Sequence, residues 1–223
     1  MKTTISALNI DGEERRVNRP AVVRVATAHD AAHDPAHDAG PPASWPCVVV
    51  LASGRGARFT ASGGTVHKLQ ADLGGKPVLA RTLEAVRASG LRWHLEDAGH
   101  PGMGDAIAAA VRATAGAAGW MILPGDLPLV QPATLRQIAL AAPCAVTVPR
   151  YQGQRGHPVR FGAECGPELM NLQGEKGAVA VFMAYAAIDS VAFLEIEDVG
   201  IITDIDTLDD LQRAEALLLQ RQP

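Results

Sequence analysis

The stretch Cys47-Val-Val-Val-Leu-Ala-Ser-Gly-Arg-Gly-Ala-Arg58 decides the fold class. Five apolar residues, three of them β-branched, run without a polar interruption and then break into glycines. That is the pattern of a strand buried on both faces of a parallel sheet and followed by a tight turn. A second apolar run, Trp120-Met-Ile-Leu123, leads straight into Pro124-Gly-Asp-Leu-Pro128. Between the two runs, Val78, Leu79, Leu83 and Val86 stand behind Pro77 and ahead of Gly90, which predicts a helix of about three turns. Met103, Ile107 and Val111 share one stripe of a second helix reading from Gly104.

Downstream, Pro132 opens a helix carrying Leu135 and Ile138, and strands at 145–148 and 158–161 flank a glycine-rich turn at 153–156. A helix near 177–185, strands at 191–196 and 201–205, and a closing helix from Leu208 follow. Thr207 and Asp210 form a capping box for that last helix. Strands alternating with helices predict an α/β fold, a Rossmann-like three-layer sandwich around a mainly parallel sheet.

With 223 residues, 48% of them hydrophobic, the chain can bury a full core in one domain. Residues 1–46 differ in character and read as an N-terminal extension, largely of low complexity, ahead of a domain at 47–223. Ala-His-Asp recurs there at 28–30, 32–34 and 36–38, before Pro41, Pro42 and Pro46. His29, His33 and His37 would line one face of a helix and suit a divalent metal, but Pro35 interrupts that helix and the Ala/Asp/Pro composition favours disorder. Further upstream, Asp11-Gly12 suggests a hairpin turn. The net charge of −4, with Lys and Arg dispersed, argues against a nucleic-acid or membrane-surface partner. Three cysteines without a CxxC pair point to a reducing compartment. No apolar run has signal-peptide length or approaches the ~18 residues of a membrane span, so a cytoplasmic location is expected.

In such a sheet ligands bind beyond the carboxyl ends of the strands, so the residues just after each strand are informative. Gly54 and Gly56 let backbone N–H groups face an anion, and Arg55 and Arg58 add positive charge. The turn is neither a Walker loop nor a GxGxxG dinucleotide loop. Lys68 lies further along the same connection and could reach a phosphate. Asp126, held between prolines, is placed either to bind Mg²⁺, which takes one or two carboxylates plus substrate phosphates, or to form an Asx turn. In Thr203-Asp-Ile-Asp-Thr207, Asp204 and Asp206 fall on one side of an extended chain. One of them is a candidate second metal ligand; the alternative is that Asp206 only starts the final helix.

Leu51-Ala-Ser-Gly-Arg-Gly-Ala-Arg58 with Lys68, then Pro124-Gly-Asp-Leu-Pro128, Arg155-Gly-His-Pro-Val159 and Thr203-Asp-Ile-Asp-Thr207 resemble, in that order, the MobA-like NTP transferase superfamily. Within it the chain looks like the molybdenum-cofactor cytidylyltransferases over about residues 47–217. The resemblance implies a nucleotidyltransferase fold and transfer of CMP from CTP to the phosphate of molybdopterin, with release of pyrophosphate and Mg²⁺ as cofactor. It implies that Leu51, Ala52, Gly54, Arg55, Gly56, Arg58 and Lys68 bind the nucleotide, with Gly102, Met103 and Gly104 toward the base. Arg58, Lys68 and Asp126 would be catalytic, Asp126 and Asp206 would hold the metal, and Gly156, His157 and Pro158 would face the acceptor. A molybdenum hydroxylase is the implied recipient of the product. The competing readings are an NTP transferase of the same fold with another phosphorylated acceptor, and a non-catalytic maturation partner that binds the cofactor.

Two departures from the family pattern carry expectations. Phe59 to His67 lengthen the connection to Lys68, which predicts a loose loop that closes with substrate. Residues 91–101 hold one strand and a turn where relatives place a βαβ crossover, so the sheet is shortened in the middle.

Overall fold

The computed structural model describes residues 44–221. The hairpin expected near Asp11 and the Ala-His-Asp triplets lie outside the described residues. In chain order, β1 (Cys47–Leu51) is followed by α1 (Ala57–Ala61), a 3₁₀ turn at Lys68–Gln70 and a hairpin of β2 (Asp72–Leu73) and β3 (Lys76–Pro77). Then come α2 (Val78–Ala88), β4 (Trp93–Glu96), α3 (Met103–Ala113), β5 (Gly119–Pro124) and α4 (Pro132–Ala139). β6 (Val146–Tyr151), β7 (Gln154–Arg155), β8 (Val159–Gly162), α5 (Gly166–Met170) and α6 (Val179–Ala186) lead to β9 (Val191–Glu195), a 3₁₀ turn at Val199–Ile202 and α7 (Leu208–Gln220).

Seven strands form one sheet in the order β4-β1-β5-β8-β6-β7, with β9 paired to β6. The β4–β1, β1–β5 and β6–β9 pairs are parallel, whereas β8 runs antiparallel between β5 and β6. The apolar run of β1 is explained by burial on both faces. Val48 and Val50 pack with Leu83, Val86, Leu135 and Ile138 of α2 and α4. Cys47, Val49 and Leu51 pack on the other side with Ile107 and Val111 of α3 and Val181 and Phe182 of α6. This is a mainly parallel α/β sandwich. The segment 91–101 supplies β4 alone, which closes the sheet beside β1.

A third apolar cluster holds Phe59, Leu69, Leu73 and Val78 against Ile205 and Ala214. It fastens the connection after β1 to the C-terminal helix. Phe59 is 1% exposed, and burial of a side chain this size stabilises by roughly 2–3 kcal/mol. The long connection is thus anchored at its start and end rather than loose, which corrects the expectation drawn from its length.

The strand expected at 201–205 does not form. Val199–Ile202 is a 3₁₀ turn, and the chain then crosses the carboxyl ends of the sheet. It is held there by single backbone bonds, His157 N–H to Ile201 O at 2.9 Å and Ile205 N–H to Asp126 O at 3.0 Å. Apolar β-branched residues suited a strand, but these contacts tie them to two separate turns and not to a ladder. The capping box is present: Thr207 accepts from Asp210 N–H, and the Asp210 side chain accepts from the Thr207 backbone.

Candidate functional site

The carboxyl ends of β1 and β5 open into a cleft of about 420 Å³. Leu51, Gly54, Arg55, Gly56 and Arg58 form one wall, with Lys68 beside them. Asp126, Asp204 and Asp206 stand at the floor, Gly102 and Met103 on a second side, and Arg155, Gly156 and His157 on a third. Residues from five separated segments, each chosen from sequence alone, therefore share one cavity with Lys68. Ala52, Gly104 and Pro158 do not line it.

The glycine-rich turn owes its shape to Gly56, whose φ of +63° lies in the left-handed region and whose carbonyl starts α1. A side chain at Gly54 would meet nothing within 4 Å, so this position leaves its backbone open to the cleft. Behind the turn, His67 acts as a clip. Its Nδ1 accepts from Leu69 N–H at 3.3 Å, which leaves Nε2 to donate to Gly54 O at 2.7 Å. The clip joins the glycine turn to the 3₁₀ turn that carries Lys68.

Lys68 reaches inward between two carboxylates. Nζ donates to Asp126 Oδ2 at 2.6 Å and to Asp206 Oδ1 at 2.8 Å, and the other Asp206 oxygen meets Arg58 Nη1 at 2.8 Å. Burial works to lower the Lys68 ammonium's pKa, but the Asp126 and Asp206 carboxylates outweigh it and hold the pKa above the usual value. Asp126 is only 6% exposed. Its Oδ1 is buried without a hydrogen-bond partner, which is the kind of orphaned acceptor that a metal or an ordered donor completes. Among the described residues no group of three or more His, Cys, Asp or Glu side chains is placed to hold a metal ion. Two carboxylates with substrate oxygens are nevertheless the donor set that Mg²⁺ accepts, so Asp126 and Asp206 fit that role. Asp204 lines the same floor. Burial, with the Asp126 and Asp206 charges, pushes its carboxyl up to about 7.

At the third wall, Gly156 lies against the crossing segment so closely that a Cβ there would be 2.6 Å from Ile201 O. His157 is 9% exposed, and its imidazole is pushed down to about 4 by burial, the Asp126 charge opposing this. It is therefore a neutral ring at physiological pH. On the second wall, a Cβ on Gly102 would be 2.3 Å from the Gly174 backbone, and Gly104 N–H donates to Gly174 O at 2.7 Å. The glycines of this loop let the 173–174 segment close over α3, while Gly102 and Met103 face the cleft.

Several lining residues were not singled out beforehand. His100 sits at the cleft rim and meets Glu96 Oε1 at 3.0 Å. Burial would raise the Glu96 carboxyl, but bonds from His100, His94 and the Ala98 N–H together hold it below its ordinary value. Glu175 and Gln154 also line the cleft. Gln154 lies within the glycine-rich turn at 153–156 and His100 between Gly99 and Pro101 after β4, so the signal that found the others was present at both, whereas Glu175 stands away from any strand end.

Residues 84–189 match the model of the MobA-like NTP transferase domain. The matched span includes Asp126 and the Arg155–His157 turn, whereas Arg58, Lys68 and Asp206 lie outside it. No curated protein matches the chain. Among solved structures, the chain is similar to Rv0371c from Mycobacterium tuberculosis H37Rv, at 25% identity and a TM-score of 0.63, over 77% of this chain and 97% of that one. Rv0371c has also been solved in complex with manganese. Mth528 from Methanothermobacter, a nucleotidyl transferase, is 24% identical with a TM-score of 0.67 over 80% and 99% of the two chains. Molybdopterin-guanine dinucleotide biosynthesis protein A from Archaeoglobus fulgidus is 19% identical with a TM-score of 0.53 over 78% and 99%. Residues 84–189 are thus similar to the MobA-like NTP transferase domain, on an α/β fold shared with these solved structures.

Proposed function

We propose that this cleft transfers a nucleotidyl group from a nucleoside triphosphate, with CTP the expected donor, to the phosphate of a molybdopterin acceptor, releasing pyrophosphate. The observation that carries the reading is the Lys68 ammonium held between Asp126 and Asp206, with Arg58 on the same Asp206, under an open glycine turn. Two cations and two carboxylates gathered in one cleft are what a triphosphate with a divalent metal requires. The manganese bound by Rv0371c and the molybdopterin-guanine dinucleotide role in the name of the Archaeoglobus neighbour point the same way.

In this reading the Gly54 and Gly56 backbone and Arg58 hold the β- and γ-phosphates, Gly102 and Met103 face the base, and Gly156 and His157 face the acceptor. Leu51 and Arg55 complete the nucleotide wall. Asp126 and Asp206 would hold Mg²⁺, which would supply neutralisation of phosphate charge and polarisation of the phosphoryl oxygens. Lys68 then turns from its carboxylates toward phosphate oxygens near the reacting centre. The acceptor phosphate oxygen attacks the α-phosphorus in line, the bond to the bridging oxygen breaks, and pyrophosphate leaves with the electron pair. No covalent intermediate on the protein is required. Catalysis is positioning and charge neutralisation. A molybdenum hydroxylase is the expected recipient of the product, in the cytoplasm. Among the described residues no helix is long and apolar enough to cross a membrane.

The test is pyrophosphate release from each of the four NTPs with Mg²⁺, with and without molybdopterin. Turnover with CTP and molybdopterin together supports the reading. Turnover with molybdopterin and a different NTP would move the base assignment, and no turnover with any pair would overturn the enzymatic reading.

A further inference from the structure

Arg150 and Arg155 face each other across the β6–β7 hairpin, in direct cross-strand register. The tight turn that joins the strands, Gln152-Gly153, has positive φ at both residues and fixes this register. Both guanidinium groups lie over one aromatic ring: Arg150 Cζ is 3.5 Å from the Phe193 centroid and Arg155 Cζ is 5.4 Å from it. Phe182 supplies a second ring, 5.3 Å from Arg155. Like charges directly opposite on a sheet are destabilising. Burial and the Arg150 charge both lower the Arg155 pKa.

Among the described residues no carboxylate forms an ion pair with either arginine, although Glu195 stands in register with Arg150 on β9. Arg150 Nε is buried with no hydrogen-bond partner. The pair therefore lacks its counter-charge. Arg155 lines the cleft together with Gly156 and His157, while Arg150, its cross-strand neighbour, does not line it. The other acceptor-side group with a titratable ring, His157, is buried and neutral and cannot supply a positive charge.

We propose that Arg155, backed by Arg150, forms an oxyanion subsite at the acceptor end of the cleft and holds a phosphate monoester of the acceptor. This deepens the nucleotidyl-transfer reading and rests on it for the identity of the two ends. The planar fork of an arginine matches two oxygens of a phosphate, and the stacked aromatic faces orient it without neutralising it. A bound dianion would replace the Arg150–Arg155 repulsion with attraction.

The probe is phenyl phosphate, titrated calorimetrically into the full chain in phosphate-free buffer, with melting temperatures read in parallel. Arg155→Met should weaken binding roughly tenfold or more, Arg155→Lys should keep part of it, and Arg150→Met should weaken it by a smaller factor. Without ligand, Arg150→Met and Arg155→Met should melt at or above the wild-type temperature, because each retains the apolar stem and removes one of two like charges. Saturation with CTP and Mg²⁺ should leave phenyl phosphate binding intact. Three outcomes would overturn the subsite: affinity unchanged in Arg155→Met, affinity lost only in Arg58→Met, or displacement of the probe by CTP, which would assign the arginines to the triphosphate. The same titrations read CTP–Mg²⁺ binding by the wild type. Its failure would count against the nucleotidyl-transfer reading, while a failed Arg155 effect beside normal CTP binding would count against this inference alone.

Discussion

Lys68 Nζ lies 2.6 Å from Asp126 Oδ2, so the ammonium from the connection after β1 neutralises the carboxylate presented by β5. The two residues are 58 apart in sequence, and Lys68 bonds Asp206 as well, so three segments of chain meet on one cation. Lys68→Met would leave two mostly buried carboxylates without their shared partner. It should destabilise by roughly 3 kcal/mol, the cost of an uncompensated buried charge, and abolish pyrophosphate release. Urea unfolding with and without Mn²⁺ checks this. Added Mn²⁺ should restore more stability to the variant than to the wild type.

Asp126→Asn preserves the shape of the side chain and removes its charge. It should keep the native melting temperature to within a few degrees while NTP turnover in Mg²⁺ falls to background. Near-normal pyrophosphate release from this variant would show that Asp126 is not a metal ligand.

The Gly54–His67 contact makes a separate expectation. His67→Ala removes a partly solvent-exposed hydrogen bond worth about 0.5–1 kcal/mol. Fold and the Lys68 carboxylate contacts should survive, but the glycine turn would lose its clip. The KM for NTP should rise roughly two- to fivefold with little change in kcat, as expected when preorganisation alone is lost. Steady-state kinetics would contradict the clip if kcat fell and KM did not move.

Gly156→Ala would place a Cβ 2.6 Å from Ile201 O. The clash is with backbone, so the crossing segment must shift, at a cost of about 1–3 kcal/mol. Because that segment carries Asp204 and Asp206, activity should fall along with stability. Hydrogen exchange at Ile201 and Ile205 would report the movement; unchanged protection there would refute it.

His157 titrates at about 4 in the folded chain against an ordinary 6.5. Its folded pKa is depressed, so between those values the unfolded chain binds the proton and the folded chain does not. The His157 contribution to stability should therefore fall as pH drops from 6.5 toward 4, by roughly 3 kcal/mol across the whole window, while Asp204, pushed up to about 7, contributes in the opposite sense. His157→Gln should remove this contribution, so that the variant gains stability relative to the wild type as pH drops through that window in urea titrations. An unchanged acid limb in the variant would assign it to other groups.

Much of the arrangement was legible before any coordinates because strand ends carry local signatures. A continuous apolar run such as Cys47–Leu51 is a strand buried on both faces, and the glycines or prolines that stop it mark the turn where ligands meet the sheet. The pattern reached Gly54, Arg58 and Asp126 without reference to one another; it reached Asp206 only through a strand expected at 201–205 that does not form. It failed at 201–205, where apolar residues sit beneath two turns instead of pairing in a ladder. It also misjudged the Lys68 connection, whose length implied slack while Phe59 and Leu69, buried at its two ends, anchor it.

What the sequence determined by itself was the order of strands and helices, the turns between them and the residue types at those turns, since all of these depend on neighbours within a few positions. Only the tertiary structure decided which charges meet. Lys68 between Asp126 and Asp206, His67 on Gly54, and Arg150 opposite Arg155 depend on side-chain reach and sheet register, and the first of these joins segments separated by 58 and 138 residues. Periodicity carries no information at such separations, because packing of the three apolar clusters alone sets where those side chains end.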